Sequence, residues 1–390
     1  MNGSSPPVAG PRFVDDLKGL QRHLDAGRDL AGADLVDMDL GVLGDRPLRL
    51  DAVRGLRCRL PLRITGAVGS QFSGCDFAHA DLRDAALTDT TFSDGNLAHA
   101  TFARANLTDV TFEACRLGQT TWDAASLHGV ALSGCDLTEA TFSAVAVQRS
   151  RFDDATLHRA DFRAGRLERV SFRGAMLDDA DVRGVRGARC AFDEADLRTL
   201  RLDETTTFVA TLFEEVDARG LTFAGCDLTD CSFDDARLEG ACFARASLFR
   251  ASFERVAGRG LDLSRADARF ASFVDADLTE ARCDRAQLEE AGFIRTKLVR
   301  ARLAGVHAPR AMLMEADLRG AIIIGAQLSY ADLSHAILDD IDFAEADLSY
   351  ANVHRARRDP RRLDRARHRR GLRHTDPLLA RAEDFKPPPD

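Results

Sequence analysis

Histidine and cysteine are the residue types in this chain best suited to bind a metal ion or to attack a substrate. His79 and His99 lie twenty residues apart, and none of the nine cysteines forms a Cys-x-x-Cys pair. Two histidines without further ligands make a poor zinc site, because structural zinc takes four. Six cysteines share a position with alanine and valine in a repeated pattern, which predicts small buried residues in a reducing compartment: Cys75, Cys115, Cys135, Cys190, Cys226 and Cys231.

Enzyme motifs are absent from the sequence. It contains no GxxxxGK[ST], GxGxxG, HExxH or GxSxG motif. We therefore predict a protein that is not an enzyme and has no catalytic residues, no metal and no cofactor. An enzyme with a site at an irregular point of the chain is a distant third hypothesis.

Composition narrows the class of protein. The 390 residues are 45% hydrophobic with a formal net charge of −9, which provides for a substantial core and argues against general disorder. The N-terminal stretch MNGSSPPVAGPRF lacks the basic start and apolar run of a signal peptide, and no segment approaches the roughly 20 apolar residues of a membrane helix. These features predict a cytoplasmic protein without a membrane contact.

A five-residue repeat dominates the sequence. A large apolar residue, here called the central residue, recurs at every fifth position from Phe72 to Leu202 and again from Phe213 to Val353, usually with a small residue two positions earlier. A period of five fits neither a helix nor a flat strand, whereas short extended sides joined by turns form a β-solenoid. Phenylalanines recur every ten residues, which favours an even number of sides. The pattern predicts about 14 four-sided coils of twenty residues.

The flanks and one internal break depart from the repeat. The spacing slips by one residue between Leu202 and Phe208, and this slip predicts a bulge or a short loop. Residues 12–26 have the apolar spacing of a helix, and Pro360 could begin another. The predicted segments are 1–11 disordered, 12–70 an N-terminal helix with irregular coils, 71–202 the first repeat block, 203–222 the break, 223–354 the second repeat block, and 355–390 a basic C-terminal helix and tail.

The repeat unit A(D/N)Lxx, as in "ADLSHAILDDIDFAEADLSYANV" (331–353), resembles the pentapeptide-repeat family. The resemblance implies an all-β, right-handed quadrilateral β-helix, to which we add short helical caps at both ends. Some members of this family bind DNA gyrase or topoisomerase IV as DNA mimics and confer resistance to antibiotics directed at topoisomerases. Family members also often dimerise through their C-terminal ends.

Acidic residues follow the central residues on one side of the predicted coil. Residues one and two positions after a central residue point to solvent, and those spaced by about twenty residues should stack. Regularly spaced carboxylates imitate DNA phosphates and could fill the basic groove of a DNA-binding protein. The alternative is that neighbouring arginines neutralise them and that the aspartates cap turns. The acidic ladder comprises Asp153, Asp154, Asp193, Glu194, Glu214, Glu215, Asp234, Asp235 and Glu254.

Arginines form ladders of their own. Pairing with acids on adjacent faces is the favoured interpretation, and few aromatic residues interleave them, so direct nucleic-acid binding is disfavoured. Residues 355–374 are also strongly basic. The ladders contain Arg149, Arg169 and Arg189 beside Arg166 and Arg186, and later Arg245, Arg265 and Arg285 beside Arg282 and Arg302.

Apolar residues occupy outward positions in the last coils. Such a set predicts a covered surface, either under the C-terminal segment or in a homodimer. The set is Ile294, Met312, Met314, Ile322, Ile324, Tyr330 and Tyr350. Two functions follow: an acidic DNA mimic that binds a type II topoisomerase, or a protein-interaction scaffold without topoisomerase activity.

Overall fold

The computed structural model describes residues 11–43, 48–60, 63–357 and 363–384. The chain divides into two compact units, Met1–Arg201 and Leu202–Asp390. Of the segment predicted to be disordered, residues 1–10 lie outside the described residues. Pro11 is part of the structure, since its carbonyl accepts a hydrogen bond from the Asp34 amide at 2.9 Å.

The first unit is a parallel β-solenoid with two ladders of short strands. One sheet has the order β1-β2-β4-β6-β8-β10, and the strands of the second follow the order β14-β13-β12-β11-β9-β7-β5-β3. The elements are β1 Arg12–Val14, α1 Leu17–Asp25, β2 Asp34–Val36, a 3₁₀ turn Leu40–Leu43, β3 Leu48–Arg49, β4 Arg54–Leu56, β5 Ile64–Val68, β6 Gln71–Ser73, β7 Ala86–Thr88, β8 Thr91–Ser93, β9 Asn106–Thr108, β10 Thr111–Glu113, β11 Ser126–His128, β12 Ala146–Gln148, β13 Arg166–Glu168 and β14 Arg186–Ala188.

The second unit repeats this architecture with shorter pairings. Its elements are β15 Thr207–Val209 and α2 Pro377–Asp384, and the remaining sides pair through single residues. One face carries nine such rungs among the described residues: Leu212, Ser232, Ser252, Ser272, Gly292, Met312, Asp332, Asn352 and Arg373. Partners lie twenty residues apart except at the last step, so four sides of five residues close each coil.

The prediction of an all-β, four-sided β-solenoid with short helices is confirmed. Pairing in the first unit begins at β1, within the segment 12–70 for which irregular coils were predicted. One face of that unit has ten rungs within the described ranges: Arg12, Asp34, Arg54, Gln71, Thr91, Thr111, Ala131, Arg151, Ser171 and Ala191.

Each corner of the coil requires a left-handed residue two positions after the central residue. At these corner positions Asp109 has φ +52° and Arg149 has φ +50°. Left-handed φ is uncommon for residues other than glycine. Here the corner amides are held by the next coil, since Asp109 N–H donates to the His128 carbonyl at 2.9 Å. The corner side chains therefore point to solvent in columns with a period of twenty residues.

The core consists of stacked aromatic and aliphatic residues. Phe92 and Phe112 stack with ring centroids 5.0 Å apart, and in the second unit Phe213 and Phe233 stack at 4.8 Å. The side chain of Trp122 is fully buried, and its Nε1–H donates to Thr120 Oγ1 at 2.8 Å. The ten-residue alternation of phenylalanine thus produces like-on-like stacks, as the four-sided coil predicts.

The N-terminal helix is shorter than predicted. It covers Leu17–Asp25, and Asp16 caps it by accepting a hydrogen bond from the Gly19 amide at 2.8 Å. Leu20 and Leu24 are buried, as the apolar spacing predicts, but Phe13 lies on β1 instead of on the helix. Parallel pairing of β1 with β2 overrides the helical spacing at this point.

The break is a tight bulge in place of a loop. Regular pairing resumes at β15, so the irregular part of the predicted segment 203–222 shrinks to residues 203–206. Asp203 Oδ1 accepts hydrogen bonds from the Thr205 amide at 2.9 Å and from Thr205 Oγ1 at 2.6 Å. The Thr206 amide donates to the Asp203 carbonyl at 2.9 Å. These bonds absorb the additional residue.

The basic C-terminal segment differs from the predicted helix. His368 and Arg373 pair with Asp347 and Asn352, so part of this segment adds a further turn to the solenoid. The helix α2 begins at Pro377, with Asp376 accepting hydrogen bonds from the amides of the first turn. Pro360 lies outside the described residues.

Candidate protein-binding surfaces

The acids directly after the central residues are held in place by the next coil. In the first unit, Asp153 Oδ1 accepts hydrogen bonds from Ser171 Oγ and from the Arg173 amide, the latter at 3.3 Å. In the second unit, Asp234 Oδ1 accepts from Ser252 Oγ and from the Glu254 amide, the latter at 3.0 Å. A serine eighteen residues after each acid is the sequence signal for this contact. These carboxylates are fixed and half-buried.

Two further members of the ladder follow the same rule. Glu214 Oε1 accepts a hydrogen bond from Ser232 Oγ at 3.1 Å, and Glu254 Oε1 accepts from Ser272 Oγ at 2.9 Å. Ordering these side chains costs little additional entropy on binding, since the fold has already restricted them. The second unit therefore presents a preorganised row of carboxylates.

The corner acids of the ladder are exposed, and arginines pair with two of them. Arg173 Nε donates to Glu194 at 3.1 Å, and Arg255 donates two hydrogen bonds to Asp235 at 2.8 and 2.7 Å. The Arg255 guanidinium lowers the pKa of the Asp235 carboxyl. The alternative of neutralisation by arginine therefore applies to part of the ladder.

Asp154 and Glu215 keep exposed carboxylates without an ion pair in the described parts of the chain. In the first unit Arg173 pairs with Glu194, and in the second unit Arg255 pairs with Asp235 and lies 3.3 Å from Glu254. Each unit therefore keeps an exposed carboxylate of the ladder, Asp154 or Glu215, after these pairs are formed.

A second set of acids stabilises the turns of the coil, and a short sequence motif marks its members. The aspartate before a central residue accepts a hydrogen bond from the amide two positions on, and an arginine at that position often chelates it. Arg183, for example, donates to Asp181 Oδ1 at 2.9 Å as well as through its backbone amide at 3.1 Å. The motif Asp-x-Arg marks these pairs: Asp81–Arg83, Asp161–Arg163, Asp181–Arg183, Asp196–Arg198, Asp217–Arg219, Asp267–Arg269 and Asp317–Arg319.

The arginine ladders are less compensated than the sequence led us to expect. Arg189 lies 3.6 Å from Glu168, and Arg302 Nε lies 3.0 Å from Asp284. In the described ranges, other ladder arginines have no acidic partner within ion-pair distance, so general pairing across adjacent faces is wrong for them: Arg149, Arg166, Arg169, Arg186, Arg245, Arg265, Arg282 and Arg285.

The predicted apolar patch is distributed over separate faces. Met312 pairs with Gly292 and Asp332, whereas Ile322 pairs with Arg302 and Asp342 on a different ladder. Ile294 and Met314 follow Gly292 and Met312 by two positions on the same side of the coil, and Ile324 follows Ile322 by two positions. Tyr330 and Tyr350 stack at a corner with ring centroids 4.9 Å apart. The sequence had combined residues that the four-sided coil keeps apart.

Helix α2 is tied to the last coils by ionic contacts. Arg355 lies 3.2 Å from Glu383 and 2.6 Å from Asp384, and its guanidinium lowers the pKa of the Asp384 carboxyl. The Tyr350 ring lies against Gly371, where an added Cβ would come within 2.5 Å of Cδ1. The C-terminal segment therefore covers Tyr350 in part, while Tyr330 stays 56% exposed.

His335, His354 and Glu383 bring ligand-type atoms within 4.8 Å of one another. His354 is buried; its Nε2 lies 3.3 Å from Glu383, and its Nδ1 accepts a hydrogen bond from the Asp376 amide at 3.1 Å. Because Nδ1 accepts, the neutral ring carries its proton on Nε2, the nitrogen that would have to bind a metal. The cluster fits an attachment of α2 better than a metal centre.

The stacked histidines of the first unit and most of the cysteines offer little chemistry. His79 and His99 stack with ring centroids 4.8 Å apart, as their spacing predicts. All nine cysteines are free; Cys242 is half-buried, and the rest are buried. Burial raises the pKa of the Cys226 thiol to about 12, so this thiol stays protonated and a weak nucleophile. Cys58 differs, because a hydrogen bond with Cys75 lowers the pKa of its thiol. A cavity of about 20 Å³ in the second unit holds at most one water molecule.

None of the helices in the described part of the chain has the length and the apolar character needed to cross a membrane.

Comparison with family models identifies the repeat. A model described as "pentapeptide repeat region" matches residues 68–142 and 105–182. A second, described as "pentapeptide repeats (8 copies)", matches residues 211–256, 259–293, 296–329 and 326–357. Together these matches cover more than half of the chain. A search of curated protein sequences gave no match.

Solved structures of repeat proteins are similar at low identity. Full-length QnrB1, a plasmid-mediated fluoroquinolone resistance protein, is 18% identical, with 57% of this chain and 96% of that chain covered and a TM-score of 0.27. HetL, a pentapeptide repeat protein involved in heterocyst differentiation regulation in Nostoc, is 20% identical, with 85% and 96% covered and a TM-score of 0.20.

Proposed function

Since the chain belongs to the pentapeptide-repeat family, we propose that it is a non-enzymatic binding protein of the cytoplasm that occupies a DNA-binding surface of another protein. The proposed partner is a type II topoisomerase such as DNA gyrase, because some members of the family bind this enzyme as DNA mimics. Protection against antibiotics directed at topoisomerases would be the consequence for the cell.

The observation that carries the proposal is the fixed geometry of the ladder carboxylates. Asp153 and Asp234 are each held by a serine and a backbone amide of the next coil. Successive coils are about 4.8 Å apart, so Glu214, Asp234 and Glu254 form a regular row in the second unit. In the first unit Arg173 stands between Asp153 and Asp193. A basic groove that binds DNA phosphates could bind such a row without first ordering it.

The test is gyrase supercoiling and fluoroquinolone-induced cleavage with purified protein. We expect the wild type to inhibit supercoiling or to reduce cleavage, with an effect that weakens as salt is added. A ladder variant replaces Asp153, Asp154, Asp193 and Glu194 with Asn or Gln. A second ladder variant changes Glu214, Glu215, Asp234 and Asp235 in the same way, and at least one of the two should lose the effect.

The matched control removes the same number of charges on other sides of the coil in the first unit. The acids Asp84, Glu139, Asp178 and Asp179 form solvent-exposed ion pairs with Arg104, Arg159, His158 and Arg201, so Asn or Gln there should cost little stability. This control should act like the wild type. Loss of activity in the control alone would contradict the assignment to the ladder, and inactivity of the wild type at micromolar concentration would contradict the topoisomerase proposal.

A protein-interaction scaffold is the second candidate, and the exposed apolar residues of the last coils favour it. Met312 and Ile322 are each 41% exposed, and Tyr330 is more exposed still. A scaffold would leave gyrase activity unchanged. If these coils form a homodimer, Tyr330→Ser/Tyr350→Ser should lower the molecular mass in solution. An unchanged mass would exclude the tyrosine corner as the contact.

A further inference from the structure

One corner of the first unit carries a column of charges in segregated order. We call the set Asp89, Asp109, Gly129, Arg149 and Arg169 the bipolar column. Its members follow one another at twenty-residue steps, and all have left-handed φ between +49° and +67°. All four charged side chains are exposed. Two acids therefore stand on one side of the glycine and two arginines on the other.

The four charges of this column form no ion pairs in the described ranges, and Glu168 lines the same surface groove as Arg149 and Arg169. The next arginine in the series, Arg189, does have an acid nearby, since Glu168 lies 3.6 Å away. Like charges one coil apart, about 4.8 Å, repel each other weakly. The order of these four charges therefore adds no ion pair that would stabilise the fold.

We propose that the bipolar column binds the same column of a second copy in an antiparallel, two-fold arrangement. A two-fold contact places residue i against residue j and residue j against residue i. With Gly129 on the axis, Asp109 faces the partner's Arg149 and Asp89 faces the partner's Arg169. Equal coil spacing in both copies keeps every opposite charge in register.

The structure favours this occupant and this register. A bound polyanion would engage the arginines but would be repelled by the two unpaired aspartates of the same column. A parallel contact would place like charges together, and a shift by one coil would set Arg149 against the partner's glycine. Gly129 has no side chain of its own, and the Asp109 carboxylate of the same chain lies over it, with Oδ1 next to the position of an added Cβ. On the adjacent face, Thr91, Thr111 and Ala131 flank the acidic half and the glycine, and Arg151 and Ser171 flank the basic half.

The first experiment measures molecular mass by sedimentation equilibrium at low salt. Asp89→Arg/Asp109→Arg makes the column entirely basic, and Arg149→Asp/Arg169→Asp makes it entirely acidic. Arginine and aspartate both occur at corner positions of this chain, so neither exchange demands a new backbone conformation. We expect the wild type to dimerise with an affinity that falls with salt, and each variant to dimerise about tenfold more weakly or not at all.

Mixing the two variants is the decisive step. An antiparallel contact predicts that the basic and acidic columns form a heterodimer in an equimolar mixture. The control is Asp89→Arg/Arg149→Asp, which leaves the net charge unchanged but places like charges opposite each other. This control should stay monomeric. A wild type that is monomeric at millimolar concentration, or a mixture that fails to associate, would overturn the proposal.

Cross-linking tests the register. A chain with Asp109→Cys should form a disulfide with a chain carrying Arg149→Cys, and to a much smaller extent with one carrying Arg169→Cys. The native cysteines give little background because most are buried. The wild-type protein is also tested for binding to a DNA oligonucleotide. If the wild type binds the oligonucleotide through Arg149 and Arg169 but does not associate with itself, the arginines bind a polyanion and the dimer is refuted. None of these results depends on a topoisomerase.

Discussion

Two corner columns of this protein share a backbone conformation and differ in the order of their charges. The bipolar column of the first unit groups acids and bases, and its charges lack partners within the described chain. In the second unit, Arg255 donates two hydrogen bonds to Asp235 and Arg295 donates two to Asp275. We call this set the alternating column: Asp235, Arg255, Asp275, Arg295 and Glu315.

The difference shows that the backbone conformation at the corners does not depend on the charge of the side chains placed there. Both columns use left-handed residues that are fixed by the next coil, so any exposed side chain can be placed at a corner without changing the fold. An alternating order neutralises itself along one chain. A segregated order leaves its charges available to another molecule, which is the basis of the proposed dimer.

The largest effect should come from the core that both columns share. Phe253→Ala in the second unit and Phe152→Ala in the first should each cost about 3–5 kcal/mol in the free energy of unfolding, independent of salt. Both side chains are fully buried in aromatic stacks. Denaturant unfolding measures the loss. The control is Phe270→Ala, because Phe270 is 43% exposed; an equal loss there would contradict this account of the core.

The left-handed corner itself should give the second largest effect. Gly240 has φ +68°, and nothing lies within 4 Å of an added Cβ. Gly240→Val should therefore cost about 1–2 kcal/mol through backbone strain alone. Gly240→Asn should cost less, since asparagine tolerates this conformation. Equal melting temperatures for the two variants would show that the corners are not strained.

Exchange of two charges should convert one kind of column into the other. Arg255→Asp/Asp275→Arg keeps the net charge but groups like charges in the alternating column. We expect the melting temperature to fall by about 1–2 °C at low salt, because exposed pairs contribute little. The difference from the wild type should shrink as salt screens the repulsion. A larger difference at high salt would rule out an electrostatic cause.

The smallest effect is a difference in stability at pH 7 that disappears at acidic pH. Hydrogen bonds from Arg255 and Arg295 lower the pKa values of Asp235 and Asp275. A lowered pKa in the folded state stabilises the protein above the unfolded value, and this contribution is lost as pH falls through the folded one. Asp235→Asn/Asp275→Asn should therefore be less stable than the wild type at pH 7. The two unfolding curves should converge below about pH 4; a constant difference would show that the pairs do not titrate.

Much of the fold and part of the candidate surface could be predicted from the sequence. The five-residue repeat places Phe92 over Phe112 and His79 over His99, because residues twenty positions apart must stack in a four-sided coil. The same arithmetic identifies the ladder acids. It could also have identified the Asp-x-Arg pairs and the bipolar column, since both appear directly in the sequence at fixed spacing.

The remaining features depend on contacts that have no period. The sequence assigned Met312 and Ile322 to one apolar patch, because hydrophobicity alone does not specify the face. It placed Phe13 on a helix, although pairing of β1 with β2 makes that residue part of a strand. It did not indicate that His354 and Glu383 would meet, since they belong to the last coil and to the helix that follows it.

The sequence by itself determined the coil, the composition of its core and which side chains share a column, because each follows from a repeat that acts over one turn. Only the tertiary structure decided which of those charges are used internally. Arg255 binds Asp235, whereas the Asp154 carboxylate stays exposed. This difference depends on the directions of the side chains and on their neighbours in the next coil. A one-dimensional spacing places these groups near each other but does not orient them.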